Sequence, residues 1–144
     1  MNLENKTIVI TGGGQGLGRI MAISFAKSGA NIALIDLNEE LLRETVGLVE
    51  QNGSANTSAK YYLANVSNEA QVESTFKQIN DDFNGIDGLV NNAGILRDGL
   101  LIKAKDGEVI NKMSLDDFQS VIDVNLTGVF LCGREAAVHM IESG

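Results

Sequence analysis

Short runs of β-branched and aliphatic residues alternate along this chain with longer segments of helical periodicity. Residues 6–11 (Lys-Thr-Ile-Val-Ile-Thr) and 31–36 (Asn-Ile-Ala-Leu-Ile-Asp) read as buried strands. Residues 60–64 and 86–91 read as a third and a fourth. Between the first two, Leu17, Ile20, Met21, Ile23 and Phe25 recur at helical spacing, and Gly29 supplies a stop. Asn38 is a good N-cap, with Glu39 and Glu40 in the first turn, where the helix dipole favours anions. Leu41, Thr45, Leu48 and Val49 form that helix's apolar face, which ends at Asn52-Gly53. Asn68 and Gln71 have capping-box spacing ahead of Val72, Phe76, Ile79 and Phe83, the stripe of an amphipathic helix. A last helix opens at Ser114, with Asp117 as a box-like partner. It runs through Phe118, Val121, Ile122, Val129, Cys132 and Ala136 to a stop at Gly144.

The order β-α-β-α-β-α-β-α predicts an α/β fold, with a parallel sheet wound by right-handed crossovers. No internal repeat or linker divides residues 1–144, so they form one unit. One stretch breaks the rhythm: nineteen residues, 95–113, separate the fourth strand from the last helix, where α/β loops usually have about 2–6. Within it, Asp106-Gly107 lies between alternating residues, the pattern of a tight primed turn. Residues 100–112 therefore read as a β-hairpin insertion, either a substrate-side or interface flap or decoration.

Composition narrows the function. At 144 residues, 44% hydrophobic and 21% charged, the chain suits a folded globular domain. No apolar run approaches the ~18 residues of a membrane span, and the N-terminus lacks the basic-then-apolar order of a signal peptide. A single cysteine, Cys132, points to a reducing, cytoplasmic compartment, and its place on an apolar stripe reads as core. Eleven Lys and Arg stand against nineteen Asp and Glu, a net charge of −8 that argues against nucleic-acid binding. His139 has no second His or Cys at ligand spacing, so no metal site is expected. Asp81-Asp82 and Asp116-Asp117 read as solvated charges.

The sharpest motif is Thr11-Gly12-Gly13-Gly14-Gln15-Gly16-Leu17-Gly18, between the first strand and the first helix. Its fixed positions follow T-G-x-x-x-G-x-G, with Gly12, Gly16 and Gly18. Glycines leave amides bare and keep Cβ atoms out of the way, so a phosphate can approach the positive end of the helix. A plain turn is the other use of such a loop; its strand-to-helix setting favours the phosphate reading. Asp36 closes the second strand, where a carboxylate accepts hydrogen bonds from an adenosine ribose; helix capping is its alternative role. The loop contains no Lys or Arg, and Leu37 follows the acid. Both features favour NAD, with NADP the weaker candidate.

Together with Asn91-Asn92-Ala93-Gly94 at the end of the fourth strand, these residues give a chain that resembles the short-chain dehydrogenase/reductase family. The likeness covers the N-terminal, cofactor-binding portion. Residues 89–101 look most like the 3-oxoacyl-[acyl carrier protein] reductases and related hydroxyacyl dehydrogenases. The resemblance implies a Rossmann-type, doubly wound sheet in three α/β/α layers, here its first four strands and helices. It also implies roles. Gly12, Gly14, Gln15, Gly16, Leu17 and Gly18 would cradle the pyrophosphate, and Asn65-Val66 would border the adenine, although many relatives have Asp at the first of these. Asn92, Ala93 and Gly94 would line the ribose region, and Asn125 would orient a water in the proton relay.

Asn125 also stands out from the residues alone, as an amide on the apolar stripe of the last helix. A buried amide needs partners, so a structural tie to a neighbouring main chain is an equal and compatible reading. The family's serine and its Y-x-x-x-K pair are expected further downstream. The tyrosines here, Tyr61 and Tyr62, have Asn65 and Val66 four residues on. The expected parent protein is an NAD-preferring oxidoreductase acting on a small carbonyl or acyl-thioester substrate, with this chain inactive alone. The alternative is a non-catalytic NAD-binding or interaction module. The last helix is apolar around much of its circumference, which with the resemblance suggests a homodimer or homotetramer.

Overall fold

The computed structural model describes residues 3–143, so the expected stop at Gly144 and the first two N-terminal residues lie outside it. Four strands, β1 (Thr7–Thr11), β2 (Asn31–Asp36), β3 (Ala59–Leu63) and β4 (Gly88–Val90), form a parallel sheet in the order β3-β2-β1-β4. Val9 pairs with Ala33 on one side and Leu89 on the other. The chain thus leaves β1 toward β2 and β3, then returns to β4 on its opposite edge. A crevice opens at such a switch point, beyond the carboxyl ends of the strands.

Alternating side chains supply two cores. Ile10, Ile32 and Leu34 pack with Ala22 and Ala26 of α1 (Gly16–Lys27) and with Leu42 and Val49 of α2 (Glu39–Asn52). Val9, Ala33 and Ile35 face the other way, onto Phe76 and Ile79 of α3 (Glu69–Phe83) and Leu131 and Cys132 of α5 (Gly128–Glu142). The result is the three-layer α/β/α sandwich expected of a doubly wound sheet. A separate antiparallel pair, β5 (Ile102–Lys105) and β6 (Glu108–Lys112), turns through Asp106 (φ 52) and Gly107 (φ 84). The short helix α4 (Leu115–Ile122) follows, with Ser114 as its N-cap.

Several expectations give way to close packing. The buried residues of α1 are Gly18, Ala22 and Ala26, while Leu17 and Ile20 stand 70% and 62% exposed. Small side chains let this helix lie close to the sheet, with Met21, Ile23 and Phe25 half-buried against the same core and only Leu17 and Ile20 turned outward. In α2 it is Leu42, with Thr45 and Val49, that is buried, leaving Leu41 and Leu48 on the flank. Asn68 Oδ1 accepts from Gln71 N–H at 3.0 Å, but the box does not close. Gln71 Oε1 reaches past it to Asn65 N–H at 2.8 Å, because Asn68 N–H already donates to Asn65 O.

The last helix is not one continuous α-helix. Asp123–Thr127 form a π-helical turn between α4 and α5, and the extra residue rotates everything after it by roughly 100°. The buried face of α5 becomes Gly128, Leu131, Cys132 and Ala136, Val129 moves to the rim, and α4 buries nothing. Phe118 and Asn125 are exposed, so the predicted stripe, and burial of the amide, are corrected. Asp82 is likewise more than a solvated charge: it accepts from Lys60 Nζ at 2.9 Å and Tyr62 OH at 2.7 Å.

Candidate functional site

A crevice of about 280 Å³ lies across the carboxyl ends of all four parallel strands. Gly12 and Gln15 come from the loop after β1, Asp36 and Leu37 from β2, Asn65 and Val66 from β3, and Asn92, Ala93, Gly94 and Ile95 from β4. Of the residues singled out by sequence, Gly14, Gly16, Leu17, Gly18 and Asn125 do not line it. Each of these sits beside it in a different way.

The glycine loop is held by its neighbours. Gly18 packs against the loop's own start, where a Cβ would stand 2.1 Å from Gly12 O. Gly12 has φ 65, and a Cβ there would meet Ala93 Cα at 2.9 Å. Gly16 also has positive φ (55), yet nothing lies within 4 Å of its missing Cβ. That side of the loop is open. Gly13 N–H donates to Ile35 O at 3.2 Å and Gly14 N–H to Asp36 Oδ2 at 3.0 Å, so neither amide is free. The first amides of α1 have no preceding turn to bond, and Gln15 gives no side-chain cap. Helices α2, α3 and α4 are each capped by Asn38, Asn68 or Ser114. The α1 terminus therefore offers bare amides and a positive dipole end to an anion.

Asp36 is fixed before any ligand arrives. Its Oδ2 takes Gly14 N–H, and its Oδ1 takes Leu37 N–H at 2.7 Å and Asn38 N–H at 3.3 Å. A half-buried carboxylate so held keeps acceptor capacity toward the crevice, since each oxygen has two lone pairs. Asn65 Oδ1 accepts from Ser67 N–H and Oγ–H at 3.0 and 2.8 Å, which leaves its amide NH₂ as the free end. Val66, mostly buried, packs against Gly128, where a Cβ would come within 2.9 Å of Val66 Cγ2.

On the β4 side, Asn92 Nδ2 donates to Thr11 O and Gly12 O at 3.1 and 3.0 Å. Thr11 Oγ1 accepts from both Asn92 N–H and Ala93 N–H at 3.0 Å. These bonds sew the end of β4 to the glycine loop. Asn125 makes a reciprocal pair with the main chain, its Oδ1 accepting from Ile95 N–H at 2.9 Å and its Nδ2 donating to Ile95 O at 3.0 Å. It thereby fixes the chain just past Gly94.

Three roles escaped the sequence reading, which had Thr11 only as the end of a strand and the first residue of the glycine motif, and Thr45 only on a helix face. Thr11 is the hydroxyl hub between β1 and β4. Arg19 Nη2 donates to Gly14 O at 2.6 Å and Glu44 Oε2 at 2.9 Å, and its Nε to Thr45 Oγ1 at 2.9 Å. Thr45 Oγ1 also lies 3.0 Å from Gly14 O. Arg19 and Thr45 thus fasten the loop to α2. A cation in the first turn of a helix opposes the dipole, and that mismatch was the available signal.

The other titratable candidates lie away from the crevice. Tyr62 OH donates to Asp82, and burial, reinforced by that carboxylate, pushes its phenol well above the ordinary range. Tyr61 OH donates to Glu39 Oε1 at 3.0 Å and is also raised, by desolvation and then by Glu39. Neither is placed for proton transfer at the crevice. Burial pushes the Cys132 thiol up to about 11, an inert core group. Among the described residues no group of His, Cys, Asp and Glu could hold a metal ion, and no helix is long and apolar enough to cross a membrane.

Residues 6–144 match the short chain dehydrogenase family. The chain belongs to that family. It is 36% identical over 143 residues to (2S)-[(R)-hydroxy(phenyl)methyl]succinyl-CoA dehydrogenase subunit BbsD of Thauera aromatica, covering 99% of this chain and 53% of that one. It is 33% identical over 142 residues to the 3-oxoacyl-[acyl-carrier-protein] reductase FabG of Thermotoga maritima, with 99% and 53% covered. NAD+-bound xylitol dehydrogenase superposes with a TM-score of 0.83 at 30% identity, over 99% of this chain and 50% of that one. The chain thus spans about half the length of the relatives it matches.

Proposed function

We propose that the crevice binds a nicotinamide dinucleotide, NAD in preference to NADP, as the cofactor half of a short-chain oxidoreductase. The observation that carries this reading is the open, uncapped α1 terminus at Gly16, beside a carboxylate locked at the end of β2. The residues fit the group: bare amides at residues 15–18 for the diphosphate, Asp36 for the adenosine ribose, and Asn65 and Val66 for the adenine. Asn92, Ala93 and Gly94 flank the second ribose. Bound there, the cofactor supplies hydride exchange with a carbonyl or hydroxyl carbon.

The chain's own part is to position. Arg19, Thr45 and Asp36 hold the loop open, Thr11 and Asn92 hold β4 against it, and Asn125 holds Ile95. Through that hold, Asn125 sets the edge of the site where a relay water would stand, as a positioning residue. The substrate reading is a 3-oxoacyl thioester or similar small carbonyl compound, supported by the two acyl-thioester names among the relatives. The family's Ser/Tyr/Lys centre is not among the groups at this crevice, so turnover is expected of the parent protein and not of these residues alone. The alternative is a non-catalytic NAD-binding module. Exposed Phe118, Leu126 and Phe130 support a homodimer or homotetramer, and the single buried thiol suits the cytoplasm.

The test is Asp36→Ala alongside Asp36→Asn, with NAD and NADP affinities measured for each. Loss of a charge-assisted bond predicts NAD binding about tenfold weaker in the alanine variant. NADP binding should hold or improve. A preference that shifts further toward NAD would contradict the role of this carboxylate.

A further inference from the structure

Positive charge is unevenly partnered in this acidic chain. Lys6, Arg19, Arg43, Lys60, Lys77 and Arg134 each lie within 2.9 Å of a carboxylate oxygen. Lys27 sits in the last turn of α1, where the dipole favours it. The remaining four, Arg97, Lys103, Lys105 and Lys112, lie in residues 97–112, and among the described residues none has an ion-pair partner. Carboxylates are at hand: Asp98 and Asp106 are in the same segment, and Glu108 faces Lys105 in the hairpin register. They are not engaged.

Three of these cations converge. Arg97, Lys103 and Lys112 line a cleft of about 530 Å³ with Asn111 and Ser114. Asp98 and Asp117 also line it, but Asp117 Oδ2 is taken by Ser114 Oγ at 2.6 Å. Arg97 lies two residues past Ile95, which lines the dinucleotide crevice and is pinned by Asn125, so the two sites are about 7 Å apart along the chain. With Asp98 and Asp117 in the same lining the cleft keeps an excess of positive charge, and none of its three cations is in an ion pair, so an anion there would be attracted without having to displace a carboxylate. An Arg fork with two lysines is suited to phosphate oxygens.

We propose that this hairpin cleft is the subsite for the phosphate group on the substrate's carrying arm, the pantetheine phosphate of an acyl thioester. This rests on the thioester reading above and gives β5–β6 a purpose, holding the arm while the acyl end enters the crevice. The same phosphate is found in coenzyme A and on a carrier protein's prosthetic arm.

The test titrates coenzyme A, 4′-phosphopantetheine and phosphate-free pantetheine into the NAD-saturated chain, so that the dinucleotide site is filled. Binding is read by calorimetry and by amide shifts over residues 97–117. The phosphorylated probes should bind with shifts confined to that segment, and pantetheine at least about tenfold more weakly. Arg97→Gln/Lys103→Gln/Lys112→Gln, all exposed positions, should lose at least about tenfold toward both phosphorylated probes while NAD affinity is unchanged. Equal binding of both phosphorylated probes would assign the pantetheine phosphate as the anion. Binding of coenzyme A alone would assign its nucleotide phosphates instead and overturn the proposal, as would no binding of either, equal binding of pantetheine, or an unaffected triple variant. Failure of NAD to bind would sink the cofactor reading, and is measured first.

Discussion

At the scale of single residues, two glycines of one loop behave oppositely. Gly18 has no room: a Cβ would sit 2.1 Å from Gly12 O, and backbone must move. Gly16 has room but a left-handed φ of 55. Gly18→Ala should cost about 3 kcal/mol by overpacking, and Gly16→Ala about 1–2 kcal/mol of backbone strain. Chemical denaturation checks both; Gly16 proving the costlier site would contradict the packing described here. Asp82 makes a prediction about pH. Hydrogen bonds from Lys60, then Tyr62, hold its carboxyl below the ordinary range. A lowered folded pKa gives stability that is present above the unfolded value and lost as pH falls through the folded one. Between about pH 6 and about pH 3, wild type should therefore lose more thermal stability than Asp82→Asn. Equal losses would mean the carboxylate contributes nothing. The glycine motif and Asp36 were visible in the sequence because their requirement is local. The tie between Arg19 and Thr45 was not legible, because it is made across 26 residues of chain, and only Arg19's mismatch with the helix dipole hinted at it.

At the scale of elements, strand-helix alternation was legible because β-branched runs and helical spacing are separate periods. The buried face was legible in α3, where Val72, Phe76 and Ile79 are buried as their spacing predicts, but not fully in α1 or in the last helix. In α1 the fully buried stripe is small, Gly18, Ala22 and Ala26, so a search for large apolar residues finds only its half-buried flanks, Met21, Ile23 and Phe25, along with the exposed Leu17 and Ile20. In the last helix the π-turn resets the angle midway, and no single period describes both halves. Asn125 lies in that turn, with both ends of its amide on Ile95. Asn125→Ala removes two hydrogen bonds and should cost about 2 kcal/mol. Exchange of the Ile95 amide with solvent should then quicken by roughly 30-fold. Unchanged exchange at Ile95 would show that the clamp is not what holds this edge.

At the scale of the whole molecule, β1 is the pivot. It pairs on one side with β2 and on the other with β4, and the loop that leaves it meets the ends of all its neighbours. Membership of the short-chain dehydrogenase family and the layered architecture follow from features visible in sequence, because a parallel sheet imposes its signature on every element. The hairpin's cationic cleft did not show, since unpaired charge is a property of three-dimensional neighbours. Calorimetric titration of the folded chain with NAD+ and with NADH tests the cofactor reading most directly. Saturable heat at one site per chain is predicted, weakened by Asp36→Ala. The absence of heat with both forms of the cofactor would contradict it.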